Sequence, residues 1–147
     1  MASAVRSSGG DRHKVFADTS YFFALLNPRD PHHAEAIEIS EQIAGEGSSV
    51  YTTWEVVVET VALLRYRAGF QAARIFLQEV APDLILVHPL EAERRAAIQA
   101  FLRRSRDQKL SLCDAISYVI VSTRLSWSPC LTFDADFAAL GFTIMRH

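Results

Sequence analysis

The chain has 147 residues, half of them hydrophobic, and a formal net charge of −2, which suits one buried core and excludes wholesale disorder. No apolar run approaches the roughly 20 residues needed to span a bilayer, so no membrane partner is expected. The balanced charge carries no overall basic signal for nucleic acid, although composition averages over local patches. Residues 1–12 are rich in Ser and Gly and lack the apolar stretch of a signal peptide; they read as a flexible leader to one domain over 13–147, in a cytoplasmic protein.

In chain order, residues 15–17 open as a strand, and Thr19 and Ser20 can cap a helix whose apolar face uses Tyr21, Phe22, Leu25 and Leu26 before Asn27-Pro28 stops it. A second helix runs from 32 or 33 to 44, with Ala36, Ile37, Ser40, Ile43 and Ala44 at helical spacing, and ends at Gly45 to Gly47. Residues 49–52 form a short strand. The run 54–64 is β-branched, yet it is long and places Val56, Val57, Thr60, Leu63 and Leu64 on one face, so it reads as a helix. Further helices are expected over 69–80, 91–104, 112–125 and 135–140, and strands over 84–87, 129–133 and 142–145. Short apolar runs alternating with helical segments are the pattern of an α/β domain with a mainly parallel sheet.

Four acids stand beside these apolar segments: Asp18 just after the first strand, Glu59 inside the third helix, Asp114 in the first turn of its helix and Asp134 past the fourth strand. Ligands of open α/β sheets bind outside the carboxyl ends of the strands, where strand order reverses, and Asp18 and Asp134 fit that rule. Grouped carboxylates are the ligands of hard cations such as Mg²⁺ and Mn²⁺, which activate water and neutralise charge on a phosphodiester. Each acid also has a plainer use. Asp18 can cap its helix, Asp114 can meet a helix dipole, and Glu59 can be an exposed charge with Glu55 as its rival. Asp134 and Asp136 both qualify as the fourth acid, Asp134 being preferred and Asp136 read as the cap. His32 and His33 adjoin a Pro turn and suit capping or solvent exposure better than metal binding. Cys113 and Cys130 lack Cys-x-x-Cys spacing and read as small buried hydrophobes, which argues against zinc. Two basic groupings, Arg65 with Arg67 and Arg74, and Arg103 to Lys109, either touch phosphates or sit at solvated helix ends.

The ordered set Asp18-Thr19-Ser20, Thr52-Thr53 leading to Glu59, Leu110-Ser111-Leu112-Cys113-Asp114-Ala115-Ile116 and Leu131-Thr132-Phe133-Asp134-Ala135-Asp136-Phe137 resembles a PIN domain, most closely the VapC-type toxins of toxin-antitoxin pairs. The likeness extends over 15–145. It implies a three-layer α/β/α domain around a central, mainly parallel five-stranded sheet, and a Mg²⁺- or Mn²⁺-dependent endoribonuclease acting on structured RNA such as transfer or ribosomal RNA. By that resemblance Asp18, Glu59, Asp114 and Asp134 are the catalytic acids, Asp18 and Asp114 hold the metal most directly, and Ser20 supports a carboxylate or a metal water. It also implies a cognate antitoxin protein and a homodimer, and the surplus of apolar residues at Tyr21, Phe22, Phe23, Leu25 and Leu26 suits either an interface or a core helix. Two other readings are a catalytically silent RNA-binding or scaffolding module and a PIN nuclease of RNA processing without an antitoxin.

Overall fold

The computed structural model describes residues 13–104, 106–107 and 109–145; the leader expected over 1–12 lies outside them. Among the described residues the strands are β1 (Lys14–Ala17), β2 (Ser49–Thr53), β3 (Ile85–Val87) and β4 (Cys130–Leu131), all parallel, in the order β3-β2-β1-β4. The helices are α1 (Thr19–Leu26), α2 (His33–Gly45), α3 (Trp54–Arg67), α4 (Phe70–Ile75), α5 (Glu91–Arg104), α6 (Leu112–Thr123) and α7 (Ala135–Ala138). The chain winds outward from β1 through β2 to β3 and then returns to place β4 on the other side of β1. Because crossovers in parallel sheets are right-handed, that reversal puts α1 to α4 on one face and α5 and α6 on the other. It also opens the crevice between the carboxyl ends of β1 and β4.

The core explains why β1 is central. Val15, Phe16 and Ala17 are buried on both faces, as expected of a strand covered by helices on each side. Phe16 stacks on Phe137 with ring centroids 6.5 Å apart, which ties β1 to α7. On the α1 side Phe22 meets Phe76 at 5.1 Å. Each fully buried Phe contributes on the order of 1.5–3 kcal/mol by removal from water. Tyr21 and Phe22 thus belong to the core, whereas Phe23, Leu25 and Leu26 are only partly buried against it. Tyr21, Phe22 and Leu25 border a groove of about 410 Å³ of mixed character between α1, α2 and the segment before β3, which Ser40, Glu79 and Asp83 also line.

Three expectations need correction. The sheet has four strands among the described residues rather than five, because 142–145 makes only one bridge, Ile144 beside Cys130. The Cys130 N–H donates to the Thr143 carbonyl at 2.8 Å and the Met145 N–H to the Cys130 carbonyl at 2.9 Å, and β4 is too short to offer a second pair. β4 is short because the Phe133 N–H, expected to continue the ladder, donates to Ser20 Oγ instead, next to Thr132, whose hydroxyl is tied to Asp18. Finally, the helix expected over 69–80 is α4 followed by a π turn over Phe76–Val80 and a 3₁₀ turn over Ala81–Asp83. The Ala81 N–H donates to the Phe76 carbonyl five residues back, and Pro82, with no N–H to give, ends the run.

One surface contact clamps α5 to the end of α6. Arg124 donates from Nε and Nη2 to the two oxygens of Glu93 at 2.9 and 2.7 Å, and from Nη2 to the His88 carbonyl at 2.6 Å. The Arg124 hydrogen bond holds the Glu93 carboxyl down to about 2 from its ordinary 4.5. A depressed acid stabilises the fold above its unfolded pKa and loses that contribution as pH falls through the folded value. Glu93→Gln is therefore expected to cost about 0.5–1 kcal/mol at pH 7, the exposed-pair scale. Urea unfolding of both proteins at pH 7 and pH 3 checks it, with the difference shrinking at the lower pH.

Candidate metal centre

At the carboxyl end of the sheet a cavity of about 290 Å³ is lined by Asp18, Glu59, Asp114 and Asp134, together with Thr19, Ser20, Leu63, Lys109 and Ser111. Four acids far apart in sequence therefore share one space. Three reach it from helix N-termini. Asp18 leaves β1 as the N-cap of α1, and its Oδ2 accepts from the Ser20 N–H at 3.4 Å and from Ser20 Oγ and Thr132 Oγ1 at 2.9 Å each. Asp114 is the third residue of α6 and completes a reciprocal cap: its Oδ2 accepts the Ser111 N–H and its own N–H donates to Ser111 Oγ, both at 3.0 Å. Asp134 caps α7, accepting the Asp136 N–H at 2.9 Å. Capping and cavity lining are thus compatible uses of the same side chains, and the helix dipoles favour the charged forms.

Glu59 enters from the second turn of α3 and is half-buried. Its rival Glu55 does not line the cavity, and one of its oxygens is buried without a hydrogen bond among the described residues. Asp136 is also outside the lining, and the capping role expected of it falls to Asp134 because Asp136 supplies the N–H. Neither His32 nor His33 lines the cavity: His32 stacks on Phe133, and His33 Nδ1 donates to the Ala24 carbonyl at 2.7 Å, fastening α2 to α1. Cys113 and Cys130 form no disulfide; burial pushes the Cys130 thiol up to about 12 and raises the Cys113 thiol as well, with the nearby Glu59 adding to the latter.

At Asp18 and Asp114 burial is the largest cause of a raised carboxyl, ahead of repulsion from the other acids. It raises the Asp18 carboxyl above its ordinary value against the opposing bonds from Ser20, Thr132 and the backbone of Thr19, with Asp134 adding a smaller push. It raises Asp114 to about 6, and Asp18, Asp134 and Glu59 contribute further in that order. Among the described residues no three His, Cys, Asp or Glu side chains converge tightly enough to enclose an ion by themselves. An open cavity whose candidate ligands are all carboxylate or hydroxyl oxygens nonetheless fits Mg²⁺ or Mn²⁺, which keep several waters and take few protein ligands. It does not fit zinc, which favours nitrogen and sulfur.

The roles of two contributors, Ser111 and Thr132, escaped the sequence reading. The capping box Ser111-x-x-Asp114 was readable as a spacing. Thr132 carried no signal of its own, whereas Lys109, within the basic grouping Arg103 to Lys109, lines the cavity. Ser20 has one hydroxyl proton, given to Asp18, and it accepts the Phe133 N–H at 2.9 Å, so it couples the first acid to the segment after β4. Ser20→Ala is expected to lower cleavage about 10–100-fold, the usual cost of losing a group that orients a metal ligand, with less than a 3 °C change in melting temperature on the order-of-magnitude scale for a half-buried surface hydroxyl. Steady-state rates beside a melting curve check this.

The model of the PIN domain family matches residues 15–143. VapC20 of Mycobacterium tuberculosis, described as a 23S rRNA-specific endonuclease, is 29% identical over 132 residues, covering 90% of this chain and 98% of that protein. A VapC ribonuclease of Archaeoglobus fulgidus is 27% identical over 106 residues, 70% of this chain and 67% of the relative. The crystal structure of M. tuberculosis VapC20, described as a sarcin-ricin loop cleaving toxin, superposes with a TM-score of 0.78 at 28% identity over 90% of this chain and 99% of that one.

Proposed function

The chain belongs to the PIN domain family as a VapC-like ribonuclease, and from that premise we propose that it is a Mg²⁺- or Mn²⁺-dependent endoribonuclease, the toxin of a toxin-antitoxin pair, cleaving structured RNA. The observation that carries the reading is the single cavity lined by Asp18, Glu59, Asp114 and Asp134. Asp18 and Asp114 would hold the ion, with Glu59 and Asp134 bonding its waters. When bound, the ion supplies a water of lowered pKa and neutralises charge on the phosphodiester.

The protein's own part is positioning. Ser20 and Thr132 fix Asp18 through two charge-assisted bonds, and Ser111 fixes Asp114 through its backbone N–H. Lys109 is the one basic residue lining the cavity among the described residues, and its ammonium meets RNA phosphate rather than base. No side chain is needed as nucleophile, since water attacks phosphorus and an RNA oxygen leaves. A domain over 13–147 carries this chemistry, with residues 1–12 as its leader. The relatives point to ribosomal RNA as the substrate, and a cognate antitoxin and a second copy of the chain are the expected protein partners. Among the described residues no helix is long and apolar enough to cross a membrane, and a cytoplasmic setting follows from an RNA substrate.

The test is a sarcin-ricin loop hairpin RNA incubated with the protein and Mn²⁺. Attack by water leaves no 2′,3′-cyclic phosphate and tolerates a 2′-deoxy nucleotide at the cut. Cyclic-phosphate ends, or a block by the 2′-deoxy substitution, would assign the attack to the RNA's own hydroxyl instead.

A further inference from the structure

Beside the acidic cavity lies a second one of about 330 Å³, and Asp134 lines both. Its other walls are Phe133, Ala135, Ala138 and Ile144, with Thr132 at the inner end. Among the described residues the lining is thus apolar except for Thr132 and Asp134, where it joins the acids. A carboxylate at that junction repels phosphate, so the part of an RNA chain suited to this space is a base.

Two further features favour a base. One face of the Phe133 ring is covered by the His32 imidazole, with centroids 4.5 Å apart and planes within 3°, which makes a flat two-ring unit whose members are both half-buried. Unstacked bases of single-stranded RNA are held on such aromatic surfaces. The wall is also fastened to the acidic site. The Phe133 N–H donates to Ser20 Oγ at 2.9 Å, Thr132 Oγ1 donates to Asp18 Oδ2 at 2.9 Å, and the Asp134 N–H donates to Thr132 Oγ1 at 3.1 Å. A base lodged against Phe133 is therefore held in fixed relation to Asp18.

We propose that this cavity is a base-binding subsite that lodges the nucleobase of a nucleotide flanking the scissile phosphate and so sets which bond meets the acids. The proposal rests on the ribonuclease reading for its substrate class, but its geometry is separate from the four acids' chemistry. Binding energy from a base held equally before and during reaction raises affinity without raising turnover. Filling the cavity should therefore raise KM and spare kcat.

The experiment uses the full chain with Ala138→Leu, which projects into the cavity, and Ala135→Leu, an exposed position on the same wall that keeps the test usable if the first variant folds poorly. A short single-stranded RNA carrying 2-aminopurine is the probe, with Ca²⁺ present for binding and Mn²⁺ for cleavage. The wild type should quench the fluorescence of the 2-aminopurine at one position in the strand. The filled variants, melting as the wild type does, should lose that quench and show a KM raised on the order of ten-fold, the scale of one lost base-aromatic contact, with kcat within about two-fold. An abasic nucleotide at that position should weaken the wild type and leave the filled variants unchanged. Quenching that is lost on filling, in a protein that cleaves no RNA, would keep the subsite and remove the ribonuclease reading. Filled variants that fold, quench and cleave with wild-type constants would overturn the subsite and leave the ribonuclease reading standing.

Discussion

Replacing Asp18 and Asp114 together by Asn is expected to lower RNA cleavage at least about 10²–10³-fold, the scale on which groups serving the transition state register, while the protein stays folded. The two parts of the expectation have separate causes. Activity falls because both carboxylates line the cavity and the amides that replace them are neutral and bind hard cations weakly. The fold survives because the local bonds that use these side chains need an acceptor rather than a charge. Asn offers its Oδ1 to Ser20 and Thr132 at position 18, and to the Ser111 N–H at position 114. Asn is also among the preferred N-cap residues, so α1 keeps its cap. Circular dichroism and melting curves beside the rates check both parts. A double variant that unfolds would show that the acids are structural first, and one that cleaves at the wild-type rate would remove them from the chemistry.

The second large effect is on stability, and its sign depends on pH. Asp114 has an ordinary pKa of 3.8 and is raised to about 6 in the folded protein, by burial first and by Asp18, Asp134 and Glu59 after it. The folded state therefore binds more protons than the unfolded state between those values. Stability is unpenalised below the lower value, falls as pH rises through the window, and carries the full penalty above the upper one. A shift of this size corresponds to at most about 3 kcal/mol. Asp114→Asn carries no such penalty, and after loss of the charge-assisted cap to Ser111 a gain of about 1–2 kcal/mol is expected at pH 7.5. For a chain of this length that is roughly 2–8 °C in melting temperature. The gain should vanish near pH 3.5. With Mn²⁺ present the order should invert, because a ligand that binds only the folded state stabilises the wild type and not the variant. A metal-free variant less stable than wild type at pH 7.5 would show that the Ser111 cap outweighs the buried charge.

Much of the architecture was legible because it rests on local pattern. The strand openings at Val15 and Ser49, the helical face of Val56, Val57, Thr60 and Leu64 and the stop at Asn27-Pro28 each follow from periodicity or backbone chemistry within a few residues. The acid set was legible in part for the same reason, since Asp18 and Asp134 follow apolar strands directly. What failed was set by contacts distant in sequence. Phe133 and Thr132 have strand propensity, yet Ser20, more than a hundred residues earlier, takes the Phe133 N–H off the ladder and shortens β4, while Asp18 accepts the Thr132 hydroxyl. That shortening removes the partner the expected fifth strand needed. The π turn at Phe76 is likewise invisible to a helical period, because a single extra residue per turn alters no local propensity. The choice between Glu59 and Glu55 turns on how α3 packs against α1 and α6, and both residues lie on the same side of the helix by spacing alone.

Cleavage of RNA by these acids with a divalent ion distinguishes a ribonuclease from a silent RNA-binding module. The most direct measurement is total RNA treated with purified, partner-free protein in Mn²⁺, in EDTA, and with the Asp18→Asn, Asp114→Asn double variant prepared identically, followed by sequencing of the new ends. Discrete ends that appear only with the wild type and Mn²⁺ are the expected result. Folded, Mn²⁺-binding protein that produces none, or ends that persist in EDTA and with the double variant, would contradict it.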